Sequence, residues 1–151
     1  MKLDCSIIIP AYKEDERYLE SLYHELTSLG FEVIIVDDGG FMTDLDVPSL
    51  YYSPHMGYGY AIKYGIEHST RPYIITMDGD SQHQALDAEK LYNVFKMITD
   101  CKMLIGTRWK VDEPGYRKLA RKFLNFIASM LSGNYMIDLN SGMRMFDRDL
   151  A

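Results

Sequence analysis

Short apolar runs alternate along the chain with longer amphipathic stretches. The apolar runs are residues 5–9, 31–36, 73–77 and 102–105, with a weaker one at 49–52. Most of them are continuous, which is typical of strands covered on both faces of a sheet. Leucine spacing predicts a first helix that Gly30 ends, and residues 60–68 and 86–98 predict two more. This alternation predicts an α/β fold with a mostly parallel sheet and helices on both faces.

Polar or turn-forming clusters follow four of the predicted strands at their carboxyl ends. The clusters are Pro10-Ala11-Tyr12, Asp37-Asp38-Gly39-Gly40, Asp78-Gly79-Asp80 and Gly106-Thr107-Arg108. Ligands of open parallel sheets bind beyond the carboxyl ends of the strands. We therefore expect a single site along this edge of the sheet.

Asp78 and Asp80 are the candidate ligands of a metal ion. In extended backbone, side chains two residues apart project to the same side, and Gly79 between them has no side chain to crowd a ligand. Carboxylate oxygens suit Mg²⁺ or Mn²⁺, which keep coordination positions open for substrate phosphates. A turn that ends the strand is the alternative, since Asp and Gly are common turn residues.

Composition and charge narrow the class of protein. With 151 residues, 47% of them hydrophobic, the chain is long enough for one domain with a real core. A net charge of −6 argues against nucleic acid as a partner. No signal peptide and no apolar run of about 20 residues is evident, so we expect a cytoplasmic protein that is at most peripheral to a membrane. The sequence does not indicate an oligomeric state.

Residues 116–131 form a candidate membrane-interface helix. At helical spacing, bulky apolar residues including Phe123 and Phe126 share one side, and the basic residues at 117, 118, 121 and 122 share the other. This pattern suits a helix lying on an anionic membrane surface. The alternative is a surface helix whose apolar side packs on the protein's own core.

Six segments, in order along the chain, have the character of motifs. They are IIIPAYKE at 7–14, IVDDG at 35–39, GYGYAIKYG at 57–65, MDGDSQH at 77–83, GTRW at 106–109 and DLNSGMR at 138–144. Together they resemble the motifs of the family 2 glycosyltransferases, and within that family those of the dolichyl-phosphate and polyprenyl-phosphate sugar transferases. The resemblance covers nearly the whole chain and implies a GT-A fold, which is Rossmann-like.

The resemblance implies a nucleotide-sugar site and a metal cofactor, Mn²⁺ or Mg²⁺. The implied donor-binding residues are Pro10, Ala11, Tyr12, Glu14, Asp37, Asp38, Asp78 and Gly79. One of Asp37 and Asp38 would accept hydrogen bonds from the nucleoside, and the alternative is a turn held by their side chains. Asp80 is the first choice as direct metal ligand, with Asp78 directed to the metal or to the donor sugar.

The remaining predicted site residues concern catalysis and the acceptor. Arg108 could hold a phosphate in its planar fork, or it could be a surface arginine. For a hydroxyl acceptor, which would need a general base, Asp138 is the only candidate. The predicted acceptor-binding residues are Gln82, Ser141 and Arg144. A helix-capping turn is the alternative for residues 138–144.

The sequence therefore predicts an inverting, metal-dependent glycosyltransferase. The donor would be of the GDP-mannose or UDP-glucose type, and the acceptor a polyprenyl or dolichyl phosphate. A phosphate monoester with a second pKa of about 6 is already an anion near neutrality, so it needs no base. The alternatives are transfer to a hydroxyl acceptor and a non-catalytic nucleotide-sugar-binding fragment. Because relatives usually continue beyond the last motif, we also expect truncation at the C-terminus or an unusually short member.

Overall fold

The computed structural model describes residues 2–80, 83–106, 123, 125–127, 130 and 141–151. The strands among them are β1 (Cys5–Ala11), β2 (Glu32–Asp38), β3 (Ser49–Tyr52), β4 (Tyr73–Thr76), β5 (Met103–Ile105) and β6 (Arg144–Asp147). The helices with both ends among these residues are α1 (Glu16–Ser28), α2 (Tyr58–His68) and α3 (Ala85–Met97), and a 3₁₀ turn covers Arg148–Leu150.

The strands form one sheet in the order β3-β2-β1-β4-β6-β5. β1 pairs in parallel with β2 and β4, and β2 pairs in parallel with β3. β6 is antiparallel to both of its neighbours, β4 and β5, so β5 runs in the same direction as β4. The predicted α/β fold with a mostly parallel sheet is confirmed.

Two apolar layers cover the sheet because successive side chains of a strand point to opposite faces. Ile7 and Ile9 of β1 belong to the larger core, which includes buried leucines of α1 and Phe95 of α3. Ile8, between them, packs on the other face with Ala61 of α2. All seven residues of β1 are buried, which explains its continuous apolar run.

Strand β6 was not predicted from the sequence. Only its first residue, Arg144, belonged to the predicted acceptor-binding set. Met145 and Phe146 are its only apolar residues, and so short a run has no recognisable period. Antiparallel pairing places Arg144, its first residue, opposite Thr76 of β4 and Ile105 of β5. The start of β6 therefore lies at the edge where β4 and β5 end.

Strand β2 is longer than its apolar run. It continues through Asp37 and Asp38, because Asp37 pairs with Ala11 of β1 and Asp38 pairs with Tyr52 of β3. Both carboxylates thus belong to the end of a strand rather than to the turn after it. In the part of the chain that the structure describes, no helix is long and apolar enough to cross a membrane.

Candidate active site

The carboxyl ends of the parallel strands meet at one edge of the sheet, as the sequence predicts. Ala11 at the end of β1 lies beside Asp37, and Arg144 joins the ends of β4 and β5. Asp78 follows β4 by two residues. We call this edge the rim.

Asp37 holds the turn that follows β2. It is buried, and its two oxygens accept hydrogen bonds from the backbone amides of Phe41 (3.1 Å) and Met42 (2.9 Å). Gly39 and Gly40 allow this turn because both have positive φ, +123° and +70°. The turn role that the sequence left open is therefore present at Asp37.

Asp38 ties the end of β2 to the start of α2. Its oxygens accept hydrogen bonds from the backbone amides of Met56 (2.8 Å) and Gly57 (2.9 Å). The ring of His55 also contacts this carboxylate, with Nδ1 2.8 Å from Oδ2. Asp38 therefore fixes where α2 begins, a role that the sequence pattern did not indicate.

Aromatic rings surround Tyr12 at the rim. The Tyr12 ring lies 4.2 Å from that of His55 and meets the edge of Phe41 at 5.4 Å, measured between ring centres. The Lys13 ammonium lies 4.7 Å from the centre of the Phe41 ring. Tyr12 is 41% exposed, so part of its ring is open to solvent. Pro10, by contrast, is buried within β1.

The Asp78 carboxylate is enclosed from two sides. The Tyr58 hydroxyl donates a hydrogen bond to Oδ1 at 3.0 Å. A β-carbon at Gly142 would overlap the same carboxylate, so only glycine fits there. The Thr76 hydroxyl holds this segment by donating to the Gly142 carbonyl at 2.9 Å. Tyr58 and Gly142 were in recognised motifs, but nothing in their spacing indicated this contact.

Gly79 is glycine for a different reason from the one expected. A β-carbon at this buried position would lie 3.2 Å from Leu19 Cδ2 and 3.3 Å from the Pro10 carbonyl oxygen. These atoms belong to α1 and β1, not to the open rim. The expectation that Gly79 clears space for a ligand is corrected: its missing side chain allows close packing of the protein itself.

The segment before β6 joins that strand to β5. Ser141 is fully buried, and its hydroxyl donates to the Gly106 carbonyl at the end of β5. Arg144 donates from Nε to the Ser141 carbonyl at 3.1 Å. The contacts of the Ser141 side chain are thus structural, which corrects the prediction that this side chain binds the acceptor. Arg144 is half-buried at the rim, where its charge acts on Tyr58.

Three of the predicted site residues, Gln82, Arg108 and Asp138, lie outside the described residues. Most of the candidate interface helix at 116–131 also lies outside them. Its described residues are helical, and Phe123, Phe126 and Met130 are 62%, 64% and 67% exposed. Asn125 is buried instead. The alternative interpretation required these three apolar side chains to pack on the core, and their exposure shows that they do not.

Negative charge is concentrated around Asp78 and Asp80. Burial raises the pKa of Glu14, and the charges of Asp80 and Asp78 raise it further. A hard divalent cation would relieve this repulsion, so the donor set fits Mg²⁺ or Mn²⁺. Within the described ranges, no group of three His, Cys, Asp or Glu side chains could hold a metal. Asp78 and Asp80 would thus share the ion with phosphate, water or residues outside those ranges.

Comparison with known proteins identifies the family. Residues 6–151 match the model of Glycosyl transferase family 2. The chain belongs to this family. Its fold is similar to that of glucosyl-3-phosphoglycerate synthase from Mycobacterium tuberculosis, in a complex with Mn²⁺, UDP-glucose and phosphoglyceric acid. The TM-score is 0.77 at 17% identity, over 97% of this chain and 57% of the synthase chain. This likeness confirms the predicted GT-A fold.

Two curated relatives act on lipid phosphates according to their names. The dolichyl-phosphate beta-glucosyltransferase ALG5C of Trichomonas vaginalis is 27% identical, over 97% of this chain and 52% of the relative. The undecaprenyl-phosphate 4-deoxy-4-formamido-L-arabinose transferase of Erwinia tasmaniensis is 23% identical, over 97% of this chain and 50% of the relative. The chain spans between 50% and 65% of the length of the first four curated relatives it matches.

Proposed function

We propose that this chain transfers a sugar, with inversion, from a nucleoside diphosphate to a polyprenyl or dolichyl phosphate. The observation that carries the proposal is the pair Asp78 and Asp80 at the carboxyl end of β4, on the same rim as Tyr12 and Asp38. Family membership and the lipid-phosphate acceptors named for two relatives support it.

The donor would lie along the rim. The exposed face of Tyr12, backed by His55 and Phe41, offers a surface on which a nucleobase can stack. Asp78 and Asp80 would hold a divalent cation, which when bound offsets the negative charge that develops on the departing diphosphate. Tyr12 follows β1 and Asp78 follows β4, and these two strands are neighbours in the sheet. The nucleobase and the diphosphate of the donor would therefore occupy adjacent positions.

The acceptor would enter from the side of β6. An oxygen of its phosphate monoester forms the new bond to the anomeric carbon as the bond from that carbon to the diphosphate breaks. The electron pair of the broken bond leaves with the nucleoside diphosphate. The acceptor phosphate is an anion near neutrality, so this attack needs no general base. Arg144, at the start of β6, provides a positive charge that favours an anionic acceptor at the rim.

Donor binding with and without metal tests this proposal. We expect Mn²⁺ together with one of GDP-mannose, UDP-glucose and UDP-N-acetylglucosamine to raise the thermal unfolding midpoint, because a ligand that binds only the folded state stabilises it. Asp80→Asn should weaken binding of the nucleoside diphosphate much more than binding of the nucleoside. Glu67→Gln, which neutralises an exposed carboxylate near the opposite end of α2, is the control and should bind as wild type.

Two results would contradict the proposal. One is the absence of any metal-dependent stabilisation by the three donors. The other is an equal loss of diphosphate and nucleoside binding in Asp80→Asn, which would indicate that Asp80 supports the fold of the turn. If a donor binds, transfer of its radiolabelled sugar to a short polyprenyl phosphate then tests the acceptor class.

A further inference from the structure

The first residue of α2 is held in a fixed place beside Asp78. The backbone amides of Met56 and Gly57 donate to Asp38, which anchors the helix start to the end of β2. Tyr58 follows immediately, and its hydroxyl reaches Asp78 Oδ1 at 3.0 Å. The backbone contacts thus fix the start of the helix, from which the Tyr58 side chain reaches Asp78.

The other side of the Asp78 carboxylate has no room to move. It lies against Gly142, whose segment is fixed by the hydrogen bond from Thr76 to the Gly142 carbonyl. A carboxylate confined on one side and hydrogen-bonded on the other keeps a single orientation. Each carboxylate oxygen has more than one lone-pair site, so Asp78 can accept the phenol and still contact a cation or a ribose hydroxyl.

Tyr58 is suited to this contact in its neutral form. A phenol with a reference pKa of about 10 is neutral near physiological pH, so Tyr58 can donate its hydrogen bond to Asp78. It contributes a fixed dipole to the rim without adding a charge.

We propose that Tyr58 is a positioning residue, which holds the Asp78 carboxylate in the orientation required by the metal-bound donor. The inference rests on the proposed function, because it assigns Asp78 to donor binding. It links the start of α2, which Asp38 anchors, to the segment before β6. Tyr58 would thus act through Asp78 and would not itself need to touch the reacting atoms.

A double-mutant cycle tests the contact without any ligand. Urea unfolding is measured for Tyr58→Phe, Asp78→Ala and the double variant. If the hydroxyl acts through Asp78, Tyr58→Phe lowers the unfolding midpoint in wild type and has no effect in Asp78→Ala. Tyr60→Phe, two residues further along the same helix, is the matched control and should show no coupling to Asp78. Equal effects of Tyr58→Phe in both backgrounds would overturn the proposal.

Calorimetry then tests positioning, with Mn²⁺ and either UDP-glucose or GDP-mannose as the probe. Tyr58→Phe should bind the probe about tenfold more weakly, since hydrogen bonds to charged groups make large contributions. Tyr60→Phe should bind as wild type. Wild-type affinity in Tyr58→Phe would overturn the positioning role alone. Failure of wild type to bind these two probes and UDP-N-acetylglucosamine would instead overturn the proposed function and the donor role with it, whereas the unfolding cycle would still report on the contact.

Discussion

The carboxylates along the rim differ in what they contact. Asp37 and Asp38 accept hydrogen bonds from four backbone amides, so they order the chain around the site. Asp78 accepts a phenol, and the charges of Asp78 and Asp80 both act on Glu14. Negative charge is therefore concentrated beside Glu14, where a cation would bind. This division separates residues that shape the rim from residues that would perform its chemistry.

Replacing Glu14 by Gln tests that repulsion. The pKa of Glu14 is raised above 4.5 in the folded protein, so its ionised form opposes folding. The contribution of Glu14 to the free energy of unfolding is therefore most favourable below its unfolded-state pKa, and it becomes less favourable as the pH rises through its folded-state pKa. In metal-free buffer we expect Glu14→Gln to unfold at a higher urea concentration than wild type at pH 7. This advantage should disappear by about pH 4, near the reference pKa of glutamate.

Glu32→Gln is the control for this measurement, and we expect it to change stability in the opposite direction. Burial raises the pKa of Glu32, but hydrogen bonds from Ser6 and Thr70 outweigh that effect and lower it. A lowered pKa gives stability that is present above 4.5 and lost as the pH falls through the folded value. Glu32→Gln should thus be less stable than wild type at pH 7. Equal midpoints of Glu14→Gln and wild type at both pH values would show that Glu14 is not repelled by Asp78 and Asp80.

At the scale of elements, the three glycines in and beside α2 differ in what a side chain would meet there. Gly57 precedes the helix at φ +93°, a conformation that favours glycine. A β-carbon at Gly59 would meet nothing within 4 Å, whereas one at Gly65 would lie 2.5 Å from Ile8 Cγ2 and 3.2 Å from Val36 Cγ2. Close packing of helix on sheet therefore occurs at Gly65. It keeps α2 near β1 and β2.

Gly65→Ala tests whether close packing or helix propensity has the larger effect on the free energy of unfolding at this position. Alanine favours the helix by about 1 kcal/mol over glycine, but overpacking a core costs about 1–3 kcal/mol. Because the stiff, fully buried Ile8 cannot move away easily, we expect a net loss of about 1 kcal/mol in the free energy of unfolding. Gly59→Ala, the matched control, should be neutral or more stable by up to about 1 kcal/mol. Equal stabilisation of both variants would show that α2 can shift without cost.

The sequence predicted the elements with many apolar positions and missed the one with few. Strands β1, β2 and β4 were recognisable because each contains a run of apolar residues, whereas β6 has two apolar residues between charged ones. The rim followed from strand direction alone. The contacts that complete it were not predictable, because they join residues distant in sequence: Tyr58 to Asp78, His55 to Asp38, and Gly142 to Asp78. No local pattern encodes such pairs.

At the scale of the whole molecule, an acidic protein has a locally basic segment next to exposed apolar side chains. The net charge is −6, yet residues 117, 118, 121 and 122 are all Arg or Lys. Phe123, Phe126 and Met130 are helical and exposed. A lipid phosphate acceptor resides at a membrane surface, so a transferase acting on it must reach that surface. From this combination of basic and apolar side chains we propose that residues 116–131 contact a membrane surface.

Binding to vesicles tests this segment. We expect the protein to sediment with vesicles of phosphatidylcholine and phosphatidylserine at about 10 mM salt, and less at about 1 M, because the Debye length falls from about 30 Å to about 3 Å. Phe123→Ser/Phe126→Ser should reduce partitioning at least about tenfold, since burying a Phe side chain is worth about 1.5–3 kcal/mol. The matched control is Val94→Ser/Met97→Ser, an exposed apolar pair at the same spacing on α3, which should bind as wild type. Urea unfolding confirms that each variant is folded. Equal loss in both pairs, or no binding by folded wild type at low salt, would exclude residues 116–131 as a membrane contact and favour a water-soluble acceptor.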